Sequence, residues 1–311
     1  MNPWLRSVTG IAMLAVMITG AGLASRTTRF GEEPRPDIPR LIRKGPGEPD
    51  LNAEAVLVAR FRNGEVLYQR NAEGRLPIAS LTKLMTALIV AETTEPLAEI
   101  EFSEAAKGAG PADEKRSSVK IGERLKTEDV VKLLLVSSDT DAAYAAAEHA
   151  AGRSKAVPAG APFPERLRAF VARMNETAAA LGLQSTHFAN PTGSDEAMNF
   201  STPSDLAALA RTIWQSHPEL WAITRIRETF VFGRDGERYG VVNTNPLLGE
   251  YPAIYGSKTG FEDEAKGALL LLYNLAPNDP IAIVLLRSRD RFADGRAAIG
   301  WLEEHFAIES K

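Results

Sequence analysis

Ser80 and Lys83 lie three residues apart in the stretch Pro77-Ile78-Ala79-Ser80-Leu81-Thr82-Lys83-Leu84-Met85-Thr86-Ala87. On a helix that spacing makes them neighbours. A serine hydroxyl is a weak nucleophile until a base within hydrogen-bond reach takes its proton. A lysine whose pKa is lowered by burial or by nearby cations can be that base. A serine at a helix N-terminus also lies beside free backbone N–H groups, which favour developing negative charge. The pair therefore points to nucleophilic acyl transfer. A Ser-x-x-Lys match arises by chance roughly once in a chain of this length. A second copy, Ser117-Ser118-Val119-Lys120, sits in a charged stretch with no apolar helix after it and reads as a loop.

Two further triplets follow in order, Ser138-Asp139-Thr140 and Lys258-Thr259-Gly260. The first falls in a polar break between two apolar helical stretches. The second closes a strand-like run, where a glycine lets another backbone lie close to a strand edge. Ser-x-x-Lys, a serine-containing polar triplet and Lys-Thr-Gly in this order form the set used by serine acyltransferases that pass through an acyl-enzyme.

Leu81, Leu84, Met85 and Leu88 give the Ser80 helix an apolar face. Asn63-Gly64 between two strand-like runs, and Asp235-Gly236 between 229–232 and 239–243, predict hairpins. Thr127-Glu128-Asp129 is expected to cap a helix that stops at Ser137, with a second helix from Asp141 to Gly152. Amphipathic helices are predicted over 165–181, from Ser201-Thr202-Pro203 onward, and over 291–306. Residues 101–126 read as charged and irregular. Three strand-like runs cover 253–259, 267–275 and 281–287. Strands at both ends and helices between them predict an α+β fold, one mainly antiparallel sheet with helices packed on it.

The chain has 311 residues, 44% of them hydrophobic, enough to bury a full core. A net charge of -4 gives no reason to expect nucleic acid as a partner. Cysteine is absent, which excludes thiol chemistry and disulfides; four scattered histidines argue against a histidine metal site, and no cofactor is expected. Residues 1–29 read as a signal peptide or an N-terminal membrane anchor: Arg6 precedes an apolar run over 11–24, and Arg26 and Arg29 follow it. Residues 30–50 are rich in proline, glycine and charge and read as a flexible linker. The catalytic domain is expected over 51–311, on the extracytoplasmic side of a membrane.

Over this span the chain resembles the serine D-Ala-D-Ala carboxypeptidases of the low-molecular-mass penicillin-binding class. The likeness is carried by 76–86, 133–143, Thr186-His187-Phe188-Ala189-Asn190-Pro191-Thr192-Gly193, 200–207, 243–248 and Tyr255-Gly256-Ser257-Lys258-Thr259-Gly260-Phe261. It implies a five-stranded sheet flanked by helices plus an all-helical subdomain, the β-lactamase/transpeptidase-like arrangement. It implies Ser80 as nucleophile, Lys83 as its base and Ser138 as proton carrier to the leaving amine. Thr140, Lys258, Thr259, Gly260 and Phe261 would bind substrate, with the N–H groups of Ser80 and Phe261 as oxyanion hole. The implied partners are the peptidoglycan stem peptide ending in D-Ala-D-Ala and β-lactam antibiotics, with a membrane contact only through an uncleaved N-terminal segment.

One position departs from the pattern. The family has asparagine where Thr140 stands, and a threonine offers one short hydroxyl in place of an amide. A shifted alignment, Ser137-Ser138-Asp139, puts Asp139 there instead; the first is preferred because Asp141-Ala142-Ala143 then matches the family's Asp-Ala-Ala. His187 is expected to pack in its loop, Trp214 and Trp221 to line core or groove, and Asp195 and Asp205 to serve a turn and a helix cap. Glu262 and Glu264 are expected to be solvated. A cross-link-cutting DD-endopeptidase using the same residues, and a catalytically weak peptidoglycan-binding domain, are the competing functions.

Overall fold

A computed structural model describes residues 40–111, 114–195 and 198–309; the segment expected to direct export lies outside them. The first described elements are a short strand β1 (Leu41–Arg43) and the hairpin β2 (Ala55–Arg60) and β3 (Val66–Arg70), turning at Asn63-Gly64. After β4 (Leu76–Pro77) and a 3-10 turn over Ala79–Thr82 comes α1 (Lys83–Thr93). The stretch read as irregular holds β5 (Glu99–Glu101), α2 (Glu104–Ala109) and β6 (Arg124–Lys126). Then follow α3 (Thr127–Leu135), α4 (Thr140–Gly152) and α5 (Phe163–Ala180). β7 (Phe200–Ser201), α6 (Pro203–Ser216), α7 (Pro218–Thr224) and the hairpin β8 (Glu228–Phe232) and β9 (Arg238–Val242) lead to the sheet. The last elements are β10 (Ile254–Glu262), β11 (Lys266–Ala276), β12 (Asp279–Ser288), α8 (Arg291–His305) and β13 (Phe306–Ile308).

The main sheet is five-stranded and antiparallel, in the order β10-β11-β12-β2-β3. Its central strands are apolar on both faces, because both faces are covered. Leu57, Leu270, Leu272 and Val284 point into the core shared with α1, α3, α4 and α6. Val58, Leu269, Leu271 and Ile283 point the other way, against Ile299, Trp301 and Leu302 of α8. Unbroken runs such as Leu269-Leu270-Leu271-Leu272 follow from this two-sided burial. Each such leucine contributes roughly 1.5–3 kcal/mol by leaving water.

α4 packs against α1, α2, α3 and α5. Its alanines 142, 143, 145, 146 and 147 are all buried, and their small side chains let the other helices approach closely. The helical part also carries the β5–β6 pair.

Three local expectations are revised by packing. The helix after Ser80 is buried on every side from Lys83 to Val90, not along one apolar face. Thr127 does not cap α3; its hydroxyl donates to the Ala98 carbonyl at 3.0 Å, and Lys126 holds the cap position. Within the stretch read as a linker, β1 pairs with β13, Ile42 opposite Ala307. Pairing between chain segments this far apart leaves no local periodicity to read.

Candidate active site

Ser80 sits in the tight turn that opens α1. Ala79, just before it, has φ of 47°, an uncommon conformation for a residue with a Cβ. Strain of this kind persists where the surroundings over-determine it. The Lys83 ammonium donates to Ser80 Oγ at 2.9 Å and to the Thr192 carbonyl at 3.0 Å. Lys83 is fully buried, and burial lowers its pKa to about 8; the carboxylates of Glu114, Asp139 and Glu262 work against that shift.

The Thr192 carbonyl is held by the Asn190-Pro191-Thr192-Gly193 turn. Asn190 Oδ1 accepts from the N–H groups of Thr192 (3.1 Å) and Gly193 (2.7 Å). Thr86, one turn beyond Lys83, donates to the Pro191 carbonyl at 2.7 Å. Gly193 has φ of 93°, and a Cβ there would fall 1.8 Å from the Ala79 carbonyl oxygen. Gly193→Ala is therefore expected to push the loop off the turn that carries Ser80. The expected result is a stability loss of about 2 kcal/mol or more by chemical denaturation, together with at least a tenfold slower reaction at Ser80.

Ser138 lies in the break between α3 and α4, with φ of 60°. The Lys258 ammonium donates to Ser138 Oγ at 2.9 Å and to the Thr259 carbonyl at 2.8 Å. Ser137 turns back and donates to the Leu133 carbonyl of its own helix. Asp139 caps α4, accepting from the Ala142 N–H at 2.9 Å. Burial pushes the Asp139 carboxyl up to about 6; the Ala142 N–H opposes this, and the neighbouring Asp141 adds to it. The hydroxyl that meets Lys258 is thus that of Ser138, while Asp139, third in the shifted triplet, is engaged in capping α4.

Lys258 is buried on β10, an edge strand of the sheet. Its pKa is pushed well below the usual lysine range, by burial first and then by the charges of Lys83, Lys115 and Arg291. Thr259 Oγ1 shares a hydrogen bond with Thr244 at 2.6 Å. A Cβ at Gly260 would sit 2.9 Å from the Ser80 nitrogen, so a side chain there would separate the strand from the Ser80 backbone. Ser80, Ser138, Thr140, Thr259, Gly260 and Phe261 line one cleft of about 520 Å³. Two buried ammonium–hydroxyl pairs thus share one cleft at a free strand edge, an arrangement suited to attack on an acyl carbon and proton return to its leaving group.

Sequence reading missed several lining groups. Glu114 accepts the Thr140 hydroxyl, Lys115 lines the opening, and Arg291 lies over the Phe261 ring at 5.5 Å. Glu262, expected in solvent, forms part of the wall and its charge reaches Lys83. Asp195 accepts from the Glu264 N–H at 2.8 Å and also borders the cleft. Local signals existed only for the Asn190–Gly193 turn. His187 stacks on Phe200, Trp214 packs on Phe61 and Trp221 is core. Thr202, not Asp205, caps α6, and Asp205 instead accepts from Ser185 and Thr186. A larger concavity of about 760 Å³ beside α1, α4 and α5 contains none of the paired groups.

A family model described as D-alanyl-D-alanine carboxypeptidase matches residues 42–287. The chain is 32% identical over 218 residues to the D-alanyl-D-alanine carboxypeptidase DacF of Bacillus subtilis; the match covers 69% of this chain and 52% of that protein. It is 33% identical over 267 residues to a D-alanyl-D-alanine endopeptidase of Pseudomonas aeruginosa, covering 83% of this chain and 79% of that one. The chain thus spans about half the length of the Bacillus protein and most of the Pseudomonas one. The crystal structure of the Streptomyces K15 DD-transpeptidase superposes with a TM-score of 0.74 at 25% identity, covering 82% of this chain and 98% of that structure.

Proposed function

This chain belongs to the D-alanyl-D-alanine carboxypeptidase family, and we propose that it hydrolyses the terminal D-Ala-D-Ala bond of peptidoglycan stem peptides through an acyl-enzyme on Ser80. The observation that carries this is the pairing of both buried lysines with hydroxyls, Lys83 with Ser80 and Lys258 with Ser138, each at 2.9 Å. Lys83 takes the Ser80 proton as Oγ bonds to the penultimate alanine's carbonyl carbon. The N–H groups of Ser80 and Phe261 hold the resulting oxyanion; one such donor is worth about 3 kcal/mol in serine enzymes. The C–N bond then breaks, and the proton passes from Lys83 through Ser138 to the departing D-alanine amine. Water attacks the ester and releases the shortened peptide and free Ser80. Lys258, Thr259 and Arg291 face the terminal carboxylate. That carboxylate brings a negative charge beside buried Lys258 and so favours its ammonium form. β-Lactams acylate Ser80 by the same path.

A peptide laid along β10 adds a strand to the sheet's free edge, which is how the cleft takes an extended substrate. The cell-wall substrate puts the domain outside the membrane, carried there by the apolar run at 11–24. Among the described residues no helix is long and apolar enough to cross a membrane.

The reaction requires neutral Lys83. With a pKa of about 8, roughly one molecule in ten has it neutral at pH 7. The rate of Ser80 acylation is expected to rise about tenfold per pH unit below pH 8 and to level off above it, measured with a fluorescent penicillin.

The Pseudomonas relative's name favours a second reading, cleavage of peptidoglycan cross-links by the same residues. Digestion of cross-linked and uncross-linked muropeptides decides between them. Release of D-alanine alone supports the carboxypeptidase, release of monomers from dimers supports the endopeptidase, and no product from either overturns both.

A further inference from the structure

One corner of the cleft is closed by residues 110–111 and 114–117, laid against the first turn of α4. The Thr140 N–H donates to the Lys115 carbonyl at 3.0 Å, and the Ser117 N–H donates to the Asp141 carboxylate at 3.0 Å. Asp141 is wholly buried and also holds Arg116 at 2.6 Å and Lys107 at 3.0 Å. Gly110 packs so closely on the Thr140 methyl that a Cβ there would lie 2.5 Å from it. Within this clamp the Thr140 hydroxyl donates to Glu114 Oε2 at 2.5 Å. Glu114 Oε1 is buried and has no hydrogen-bond partner. Both Glu114 and Thr140 line the cleft beside Ser80 and Ser138.

The direction of the Thr140–Glu114 bond decides what the corner can do. A threonine hydroxyl has one proton and two lone pairs. With its proton held by Glu114, Thr140 offers the cleft an acceptor and no donor. We propose that Glu114 is a positioning residue for the Ser80 reaction, which turns the Thr140 hydroxyl proton towards its own carboxylate and the hydroxyl's lone pairs towards the cleft, so that this corner seats an N–H of the acyl donor. The inference rests on the D-Ala-D-Ala reading for the donor's identity. Its substrate class is acyl compounds with an amide or ammonium N–H next to the attacked carbonyl, as stem peptides and side-chain-acylated penicillins both have. Loss of one well-placed hydrogen bond in a buried site slows such a reaction about tenfold to a hundredfold.

Three variants and one spectrum test it. Glu114→Ala is expected to slow acylation of Ser80 by fluorescent penicillin about tenfold or more. Glu114→Gln, whose amide oxygen accepts the same proton, is expected to recover most of that loss. In a Thr140→Asn background, Glu114→Ala is expected to matter less than about threefold, because the hydroxyl it positions is gone. If Glu114→Gln falls as far as Glu114→Ala, the carboxylate acts by charge and the inference is wrong. If Glu114→Ala costs the same in both backgrounds, Glu114 only fastens the loop, and the inference is again wrong. Independently of turnover, NMR of threonine-labelled protein is expected to show a slowly exchanging Thr140 hydroxyl proton that vanishes in Glu114→Ala. Its absence from the unaltered protein overturns the proposal. Failure of penicillin to label unaltered Ser80 counts instead against the D-Ala-D-Ala reading, while the hydroxyl resonance still decides the role of Glu114.

Discussion

Replacing Ser80 by alanine is expected to leave a folded protein that penicillin no longer labels and that releases D-alanine at least about ten-thousand-fold more slowly. Only one hydroxyl is removed from a turn whose backbone bonds remain, among them the Leu81 N–H to the Ile78 carbonyl at 3.2 Å. The melting temperature should therefore move by no more than a few degrees. The loss is large because Ser80 stands in the turn that opens α1, beside the N–H groups proposed for the oxyanion, whereas Ser138 stands in the break between α3 and α4, paired with Lys258. Intact-mass spectrometry after incubation with penicillin reads the result directly. An adduct of one penicillin on the Ser80→Ala protein, mapped to Ser138 or elsewhere in the cleft, would sink the assignment of the nucleophile.

Lys83→Met is expected to slow both acylation and peptide hydrolysis by about a thousandfold to ten-thousandfold, mostly in kcat. Methionine approximates the length and volume of the lysine stem but cannot take the Ser80 proton. The cost to folding is small because two effects oppose each other. The Thr192 carbonyl loses its donor, worth about 1 kcal/mol, while an ammonium no longer has to be held out of water. A melting temperature within a few degrees of the unaltered protein, with a rate no longer rising towards pH 8, identifies Lys83 as the base. Retention of that rise in Lys83→Met would assign the titrating group elsewhere. Lys258, whose pKa burial also lowers, is then the first candidate to examine, since Asp139, pushed up to about 6, would level the rate off well below pH 8.

Much of this site can be read from local sequence because its parts are local. The three-residue spacing of Ser80 and Lys83 places them together once the turn and α1 form, and a 2.9 Å contact follows. Asn63-Gly64 closes the β2–β3 hairpin, and Asp235-Gly236 closes β8–β9, because their backbones suit tight turns. The long apolar runs mark β11 and β12 as strands buried on both faces. The order of the three motifs, and the residues around them, are enough to identify the family.

Other features exist only after distant segments meet. Lys258 and Ser138 are 120 residues apart, and nothing within either triplet says that the ammonium of one finds the hydroxyl of the other. The Thr192 carbonyl, 109 residues beyond Lys83, belongs to a backbone and carries no side-chain signature. Glu114 reads as one charge in a charged loop until Asp141 draws that loop onto α4 and the Thr140 hydroxyl turns towards it. The pairing of β1 with β13 joins the two ends of the described chain. Turn preference and apolar periodicity depend on a few consecutive residues, so composition and order determine the elements, the Ser80–Lys83 pair and the family. The lowered lysine pKa values, the orientation of Thr140 and the closeness of β10 to Ser80 depend on which surfaces exclude water together. Only the packing of helices on the sheet decides that.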